Sequence, residues 1–205
     1  MILASASPRR RELLRACGLE VTIIPADIDE ARLEGESATE LVERLATAKA
    51  RAIARELVPD GKELLVAADT IVWDELGDVL GKPHDEEDAR RMLKILSGRT
   101  HYVSTGVCVA AFDEGEGWRH ASFVETTDVT FFELTDAQVA AYVASGEPMD
   151  KAGAYGIQGL GRSLVRGIVG DYPNVVGLPV GRVLRELDRL AGTDLVTKAL
   201  GGSHA

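Results

Sequence analysis

The sequence predicts an α/β protein, because strand-like segments alternate with amphipathic helical segments along its 205 residues. Residues 1–14 have the pattern of a strand, a tight turn and the start of a helix. Residues 64–73 form a nearly continuous apolar run, typical of a strand that is covered on both faces. Residues 101–112 and 118–132 read as two long strands around a short acidic turn, so we expect an antiparallel hairpin. This length suits one sizeable core, or two lobes that share one sheet.

Composition and charge exclude several classes of protein. No apolar stretch approaches the ~20 residues of a membrane span, and the N-terminus has the pattern of a strand rather than of a signal peptide. The formal net charge of -10 argues against general nucleic-acid binding, which depends on a basic surface. Cys17 and Cys108 show neither metal-ligand spacing nor a disulfide framework, which suits a reducing compartment. We therefore expect a cytoplasmic protein that binds neither nucleic acid nor membrane.

The first turn carries a candidate phosphate site. Ser7 is the expected N-cap of a helix whose first residue is a proline. The arginines that follow lie at the positive end of the helix dipole, where a cation is disfavoured by roughly 0.3–1 kcal/mol. An anion held by free backbone N–H groups, by the hydroxyls of Ser5 and Ser7 and by Arg9 and Arg10 would offset that cost. The alternative is a surface helix whose arginines point into water.

An acidic connection and a long helix come next. The carboxylates of residues 25–30 could hold a metal or simply solvate a loop. Ser37 and Glu40 have the spacing of a capping box, and the helix that they begin is predicted to continue to about Val58. Lys49 lies on or beside the apolar stripe of this helix. Its amine either reaches out to water or is delivered into a cleft under the helix, and the spacing leaves both open.

Asp69 interrupts the apolar run at 64–73. A carboxylate in a buried strand is costly unless it is paired, hydrogen-bonded, bound to metal or protonated, so Asp69 is a candidate functional residue. The alternative is a structural aspartate that accepts local backbone donors at a bulge.

The later elements are read in the same way. A turn at 81–83 presents Lys82, and the glycine-rich segment 147–161 indicates backbone that approaches something closely. The remaining predictions are a helix opened by Asp85 and ended by Gly98, a helix from Thr135 to Ser145, a strand at 164–169, a turn at 171–174, a helix at 179–190 and a frayed tail at 193–205.

Six short motifs occur in order, and together they closely resemble the Maf family over about residues 2–190. They are Ser5-x-Ser7-Pro8-Arg9-Arg10, Ala68-Asp69-Thr70, Gly81-Lys82-Pro83, Ser97-Gly98-x-x-His101, the segment from Glu147 to Gly159 that reads EPMDKAGAYGIQG, and Asn174-Val-Val-Gly-Leu-Pro179.

The resemblance implies a fold, an activity and an assembly. The implied fold is inosine triphosphatase-like: a long, curved mixed β-sheet with flanking helices and two lobes around a cleft, here a single domain over 1–192. The implied activity is nucleoside triphosphate pyrophosphatase, which splits the α–β phosphoanhydride into a nucleoside monophosphate and diphosphate. The family requires a divalent cation, Mg²⁺ or Mn²⁺, and the resemblance suggests a homodimer.

The resemblance also assigns roles to residues. Asp69 matches the family's proton acceptor, which polarises a water for attack on phosphorus, and the same carboxylate is a candidate metal ligand. The two roles compete for the same lone pairs. Glu30 lies where the family can place a further acidic metal ligand. Arg9, Arg10, Lys49 and Lys82 match residues that neutralise the triphosphate.

Three positions distinguish the branches of the family. Arg9, Thr70 and Gln158 match the branch that acts on dTTP and UTP, whereas a 7-methyl-GTP branch carries Trp, Gln and Glu there. The amide of Gln158 offers a donor and an acceptor, which match the N3–H and a carbonyl of thymine or uracil. CTP and modified pyrimidine nucleotides are further candidate substrates. The alternatives are a pyrophosphatase for ITP or XTP and a non-catalytic nucleotide sensor that regulates cell division.

Overall fold

The computed structural model describes residues 1–57, 59 and 61–201, and it confirms a mixed α/β fold. Seven strands form one sheet in the order β2-β1-β3-β5-β6-β7, with β4 paired to β3. β1 runs parallel to β2 and β3, whereas β4 is antiparallel to β3 and β7 to β6. The strands are β1 (Ile2–Leu3), β2 (Thr22–Ile23), β3 (Glu63–Trp73), β4 (Val79–Leu80), β5 (Thr100–Asp113), β6 (Gly117–Phe131) and β7 (Val165–Val169).

Seven helices flank the strands within the described residues, and five of them lie at predicted places. They are α1 (Pro8–Ala16), α2 (Ala38–Glu56), α3 (Glu86–Leu96), α4 (Asp136–Ala144), α5 (Tyr172–Val176), α6 (Val180–Ala191) and α7 (Leu195–Ala199). The predicted capping box is present at Ser37, where the hydroxyl accepts from Glu40 N, and a second one begins α4 at Thr135. Each satisfies two backbone N–H groups that the first turn leaves without a partner, which is why these starts are readable from sequence.

The chain divides into two compact units. The first unit comprises residues 1–69, 105–124 and the chain from 177 onward, and the second comprises 70–104 and 125–176. In the first unit, alternate residues of β3 face opposite sides: Leu65 and Ala67 pack with α2, while Val66 and Ala68 pack with α1 and α6. The prediction of a strand covered on both faces is therefore confirmed.

The second unit has its own core. Met92 and Leu93 of α3 and Val139 of α4 pack there against Val72 of β3 and Phe131 of β6. The segment 147–161, read as glycine-rich backbone, folds into consecutive 3₁₀ turns at Glu147–Asp150, Ala152–Ala154 and Gly159–Ser163.

Two local predictions near the C-terminus are wrong. The turn expected at 171–174 is the start of α5, which is stabilised by the buried Asn174 side chain donating to the Val103 carbonyl at 3.0 Å. Part of the expected frayed tail is helical, because α7 places Leu195 in the core and its first amides donate to Asp188. The predicted helix end at Val58 and tail residues 202–205 lie outside the described residues. Within those residues, no helix combines the length and apolarity that crossing a bilayer demands.

Candidate functional site

The turn between β1 and α1 forms the first part of the site. α1 begins at Pro8 as predicted, with Ser7 in extended conformation at the N-cap position. The expected capping contact is wrong: within the described residues the Ser7 hydroxyl makes no capping bond. Instead, the backbone N–H of Ser7 donates to Ser5 Oγ at 3.2 Å. Arg9 occupies the first turn of the helix, so the predicted cationic helix start is present.

The contacts of the buried Arg10 include two neutral acceptors. Its Nη1 donates to Ser5 Oγ at 2.8 Å and its Nε donates to the Gly177 carbonyl at 2.8 Å. Burial lowers the pKa of the Arg10 guanidinium, while the negative charges of Asp69 and Glu30 raise it. Those two carboxylates therefore lie within electrostatic reach of Arg10.

The structure shows where the amine of Lys49 lies, which its spacing on the helix left open. The side chain is buried on α2, and its Nζ lies 2.6 Å from Asp69 Oδ1 and 2.6 Å from Glu30 Oε1. The ammonium thus points to a pair of carboxylates and not to water. Asp69 keeps 15% of its side chain exposed and Glu30 keeps 60%, so the pair combines a largely buried contact with an exposed one.

The same pair of carboxylates fits a hard divalent cation. Within the described chain, no group of three or more histidine, cysteine, aspartate or glutamate side chains could form an all-protein metal site. Mg²⁺ is usually bound through one or two carboxylates, with substrate phosphates and waters as its other ligands. Asp69 and Glu30, held on one ammonium, are such a donor set.

The other predicted residues belong to the second unit. Thr70 directly follows Asp69 on β3, and Lys82 is exposed in the turn after β4. Gln158 is exposed at the start of the last 3₁₀ turn. The backbone N–H of Gly153 donates to the Gly81 carbonyl at 3.0 Å, which ties the glycine-rich segment to the turn that carries Lys82.

The predicted residues therefore form two groups. The first unit brings together Ser5, Ser7, Arg9, Arg10, Lys49, Asp69 and Glu30, and the second unit holds Thr70, Lys82 and Gln158.

Sequence reasoning gave no role to two residues that hold the backbone on either side of Gln158. The carboxylate of Glu147 accepts from Tyr142 Oη at 2.9 Å and from the backbone N–H groups of Leu160 and Gly161 at 2.9 and 3.0 Å. An available signal was the position of Glu147, which opens the glycine-rich segment. Nothing in the sequence marked Tyr142, because a tyrosine on the apolar face of a helix is typical of a core residue.

Comparisons with known proteins agree with the motifs. The profile of the family described as Maf-like protein matches residues 1–190. A dTTP/UTP pyrophosphatase from Moorella thermoacetica is 54% identical, with 95% of this chain and 96% of that protein covered. A dTTP/UTP pyrophosphatase from Agathobacter rectalis is 46% identical, with 95% and 98% covered. The structure of the Staphylococcus aureus Ham1 protein matches with a TM-score of 0.42 and 13% identity, over 98% of this chain and 93% of that one.

Proposed function

Because this chain belongs to the Maf-like protein family, a family of nucleotide pyrophosphatases, we propose that it hydrolyses dTTP and UTP. The bond broken is the α–β phosphoanhydride, and the products are the nucleoside monophosphate and diphosphate. The observation that carries the proposal is Lys49 between Asp69 and Glu30, with Arg10 within electrostatic reach. The names of the relatives from Moorella and Agathobacter support this choice of substrates.

The first unit supplies the groups that hydrolysis needs. Asp69 accepts a proton from a water whose oxygen attacks phosphorus, and the electron pair of the broken anhydride bond leaves with diphosphate. Lys49 Nζ donates to Asp69 Oδ1 at 2.6 Å, which orients the carboxylate. Arg9, Arg10 and the hydroxyls of Ser5 and Ser7 bind phosphate oxygens at the start of α1, where backbone amides and the helix dipole favour an anion.

A divalent cation, Mg²⁺ or Mn²⁺, completes this proposal. Asp69 and Glu30 would hold it, and when bound it supplies positive charge that neutralises the triphosphate. In the protein alone the single positive charge of Lys49 faces both carboxylates, which leaves one negative charge of the pair for the cation to balance. A lone pair of Asp69 used for a metal is not available to a proton, so the two roles of this residue stay alternatives.

Substrate choice is assigned to Thr70 and Gln158 of the second unit and to Arg9 of the first. The Gln158 amide donates to a carbonyl of thymine or uracil and accepts from its N3–H. Thr70 and Arg9 complete the pattern of the dTTP and UTP branch, and Lys82 adds positive charge for the phosphates. CTP and modified pyrimidine nucleotides are secondary substrates in this proposal.

We also propose that the protein acts in the cytoplasm as a homodimer. Cys17 and Cys108 are both free thiols, which suits a reducing compartment. The dimer rests on the family resemblance.

Diphosphate release from dTTP, UTP, CTP, 7-methyl-GTP, ITP and ATP, with Mg²⁺ or Mn²⁺ and with or without EDTA, tests the proposal. We expect turnover of dTTP and UTP that EDTA abolishes. Preference for ITP would favour a purine pyrophosphatase, and binding of dTTP without turnover of any substrate would favour a nucleotide sensor.

A further inference from the structure

A tyrosine of α4 and a glutamate just after it tie the Gln158 loop at both of its ends. We define this loop as residues 156–161. Tyr142 Oη accepts from the backbone N–H of Gly156 at 3.2 Å. Glu147 accepts from the backbone N–H groups of Leu160 and Gly161. Tyr142 Oη also donates to Glu147 Oε1 at 2.9 Å, so the two tie points are joined.

The electrostatics of the pair keep these roles fixed. Burial raises the pKa of the Tyr142 hydroxyl, so it stays protonated and donates to Glu147. Burial acts to raise the pKa of Glu147, but the hydrogen bonds from Leu160, Gly161 and Tyr142 and the charge of Lys151 together hold the pKa below its ordinary value. Glu147 is therefore an ionised acceptor of three hydrogen bonds at neutral pH.

Two of the three glycines of the loop, Gly159 and Gly161, are explained by this close approach. A Cβ at Gly159 would lie 2.5 Å from Glu147 Oε2, and Gly159 has a positive φ of 63°. A Cβ at Gly161 would lie 2.6 Å from Tyr142 Oη and would overlap the Gly156 carbonyl. The backbone that the sequence predicted to approach something closely thus approaches the chain's own Tyr142 and Glu147.

Gln158 is presented between the two tie points. Tyr155 and Ile157 before it are buried, at 5% and 8% exposure, whereas Gln158 is exposed. Its backbone position is set by Gly156 on one side and by Leu160 and Gly161 on the other. A hydrogen-bonding side chain discriminates between bases only where its donor and acceptor are held in place.

We propose that Tyr142 and Glu147 are positioning residues that fix the Gln158 loop and thereby set the selection of the nucleotide base. This inference rests on the proposed function, in which Gln158 contacts the base. Neither residue is proposed to touch substrate.

The chemistry of the pair suggests two substitutions. Glu147→Gln keeps the size of the side chain but replaces one accepting oxygen with an NH₂ donor. That donor would face either the N–H of Leu160 or the donors from Gly161 and Tyr142. Tyr142→Phe removes the bond to Glu147 and the bond from Gly156 together, and it leaves no charge without a partner. Glu86→Gln is the matched control, because it removes an exposed carboxylate of α3 that binds Arg90 in the same unit.

Two measurements on the full-length protein test the inference. Amide hydrogen exchange measures how firmly the backbone of the loop is held. We expect faster exchange at Gly156, Leu160 and Gly161 in both variants and no change in Glu86→Gln. Steady-state kinetics measure the selection of the base. In both variants the ratio of kcat/KM for dTTP over kcat/KM for ITP should fall by roughly ten- to a hundredfold. The loss should be mainly in KM for dTTP, because Asp69 and Lys49 lie in the other unit.

The outcomes separate this inference from the proposed function. Unchanged amide exchange in both variants would show that Tyr142 and Glu147 do not fix the loop. Faster exchange with an unchanged ratio of kcat/KM for dTTP over ITP would show that fixing the loop does not set base selection. An equal loss of kcat for all nucleotides would also overturn it, since that pattern belongs to the phosphate chemistry. Absence of dTTP and UTP turnover in the wild type would overturn the proposed function and this inference with it. Urea unfolding midpoints show whether each variant is folded. If Glu147→Gln does not fold, the same two measurements on Tyr142→Phe test the inference.

Discussion

At the scale of single residues, the Asp69 carboxylate is the group whose removal distinguishes chemistry from binding. Asp69→Asn keeps the side-chain shape and removes the proton acceptor, while Arg10 stays fixed by Ser5 and Gly177. We expect kcat to fall by at least about 10²–10⁴-fold with little loss of dTTP affinity. Turnover assays and calorimetric titration check the two parts.

The matched control for that variant is Asp113→Asn, which removes a carboxylate at the end of β5 that faces Lys62. It should retain full activity. A fully active Asp69→Asn enzyme would exclude Asp69 as the proton acceptor.

His101 predicts a dependence of stability on pH. The ring is fully buried, contacts Phe131 edge-on, and its Nε2 lies 2.8 Å from Tyr155 Oη. Burial lowers the pKa of His101 to about 4 from its ordinary value of 6.5. Between these values the unfolded chain binds more protons, so stability should fall as pH is lowered, by about 3 kcal/mol in all.

Urea unfolding of the wild type and of His101→Gln between pH 7 and 4 measures this contribution. The variant should show the shallower pH dependence in that window. His120→Gln, at an exposed histidine on β6, should retain the wild-type slope. Identical slopes for wild type and His101→Gln would contradict the prediction.

The functional role of a single residue was predictable where burying its side chain costs free energy. Asp69 was identified because a carboxylate in an apolar strand needs a partner, and the structure supplies Lys49. Lys49 was left open because helical spacing places a side chain on a face without showing where its amine ends. The roles of Tyr142 and Glu147 could not be read, since they depend on backbone amides that lie 14 or 13 residues further along the chain.

At the scale of elements, β5 and α2 pack so closely in the first unit that only glycine fits at 106. A Cβ at Gly106 would overlap the Val42 carbonyl and lie 2.6 Å from the Glu43 backbone nitrogen. Both are helix backbone atoms, which cannot give way without moving α2. Gly106→Ala should therefore destabilise the protein by about 1–3 kcal/mol or more, measured as a lower urea midpoint.

Gly167→Ala is the control for this prediction. Gly167 lies in β7, and a Cβ there would have no neighbour within 4 Å. Alanine should be tolerated or slightly stabilising, by up to about 1 kcal/mol. Equal urea midpoints for Gly106→Ala and the wild type would show that α2 and β5 are not in close contact.

Elements with local start signals were predicted well, whereas elements defined by distant contacts were not. The capping boxes at Ser37 and Thr135 mark α2 and α4 because both partners lie within one turn. α7 was missed because its stability comes from burying Leu195 and from the bonds of its first amides to Asp188 on α6. The 3₁₀ turns at 147–163 were not predicted. The last of them is stabilised by hydrogen bonds to Glu147, a contact that local propensity does not show.

At the scale of the whole molecule, the strand order is the feature that sequence patterns do not contain. Apolar alternation identifies each strand and its faces, and a short turn predicts the pairing of β5 with β6, but the neighbours of the other strands are not readable in this way. β1 lies between β2 and β3, although α1 separates it from β2 along the chain and α2 also precedes β3. The order therefore depends on the packing of helices such as α1 and α2, which the sequence patterns do not show.

The charge of the whole chain leads to a prediction about which anions it binds. The formal net charge is -10, so a long polyanion meets a repulsive surface, whereas in the proposed function a triphosphate meets the local cations Arg9, Arg10, Lys49 and Lys82. Thermal unfolding of the Asp69→Asn protein with Mg²⁺ separates these cases without hydrolysis. With dTTP at a hundred times its Kd, mass action adds about 2.7 kcal/mol, or roughly 5–10 °C in Tm for a chain of this size. Duplex DNA at equal phosphate concentration should leave the Tm unchanged, and an equal shift with both ligands would mean that the cations lie on an open basic surface.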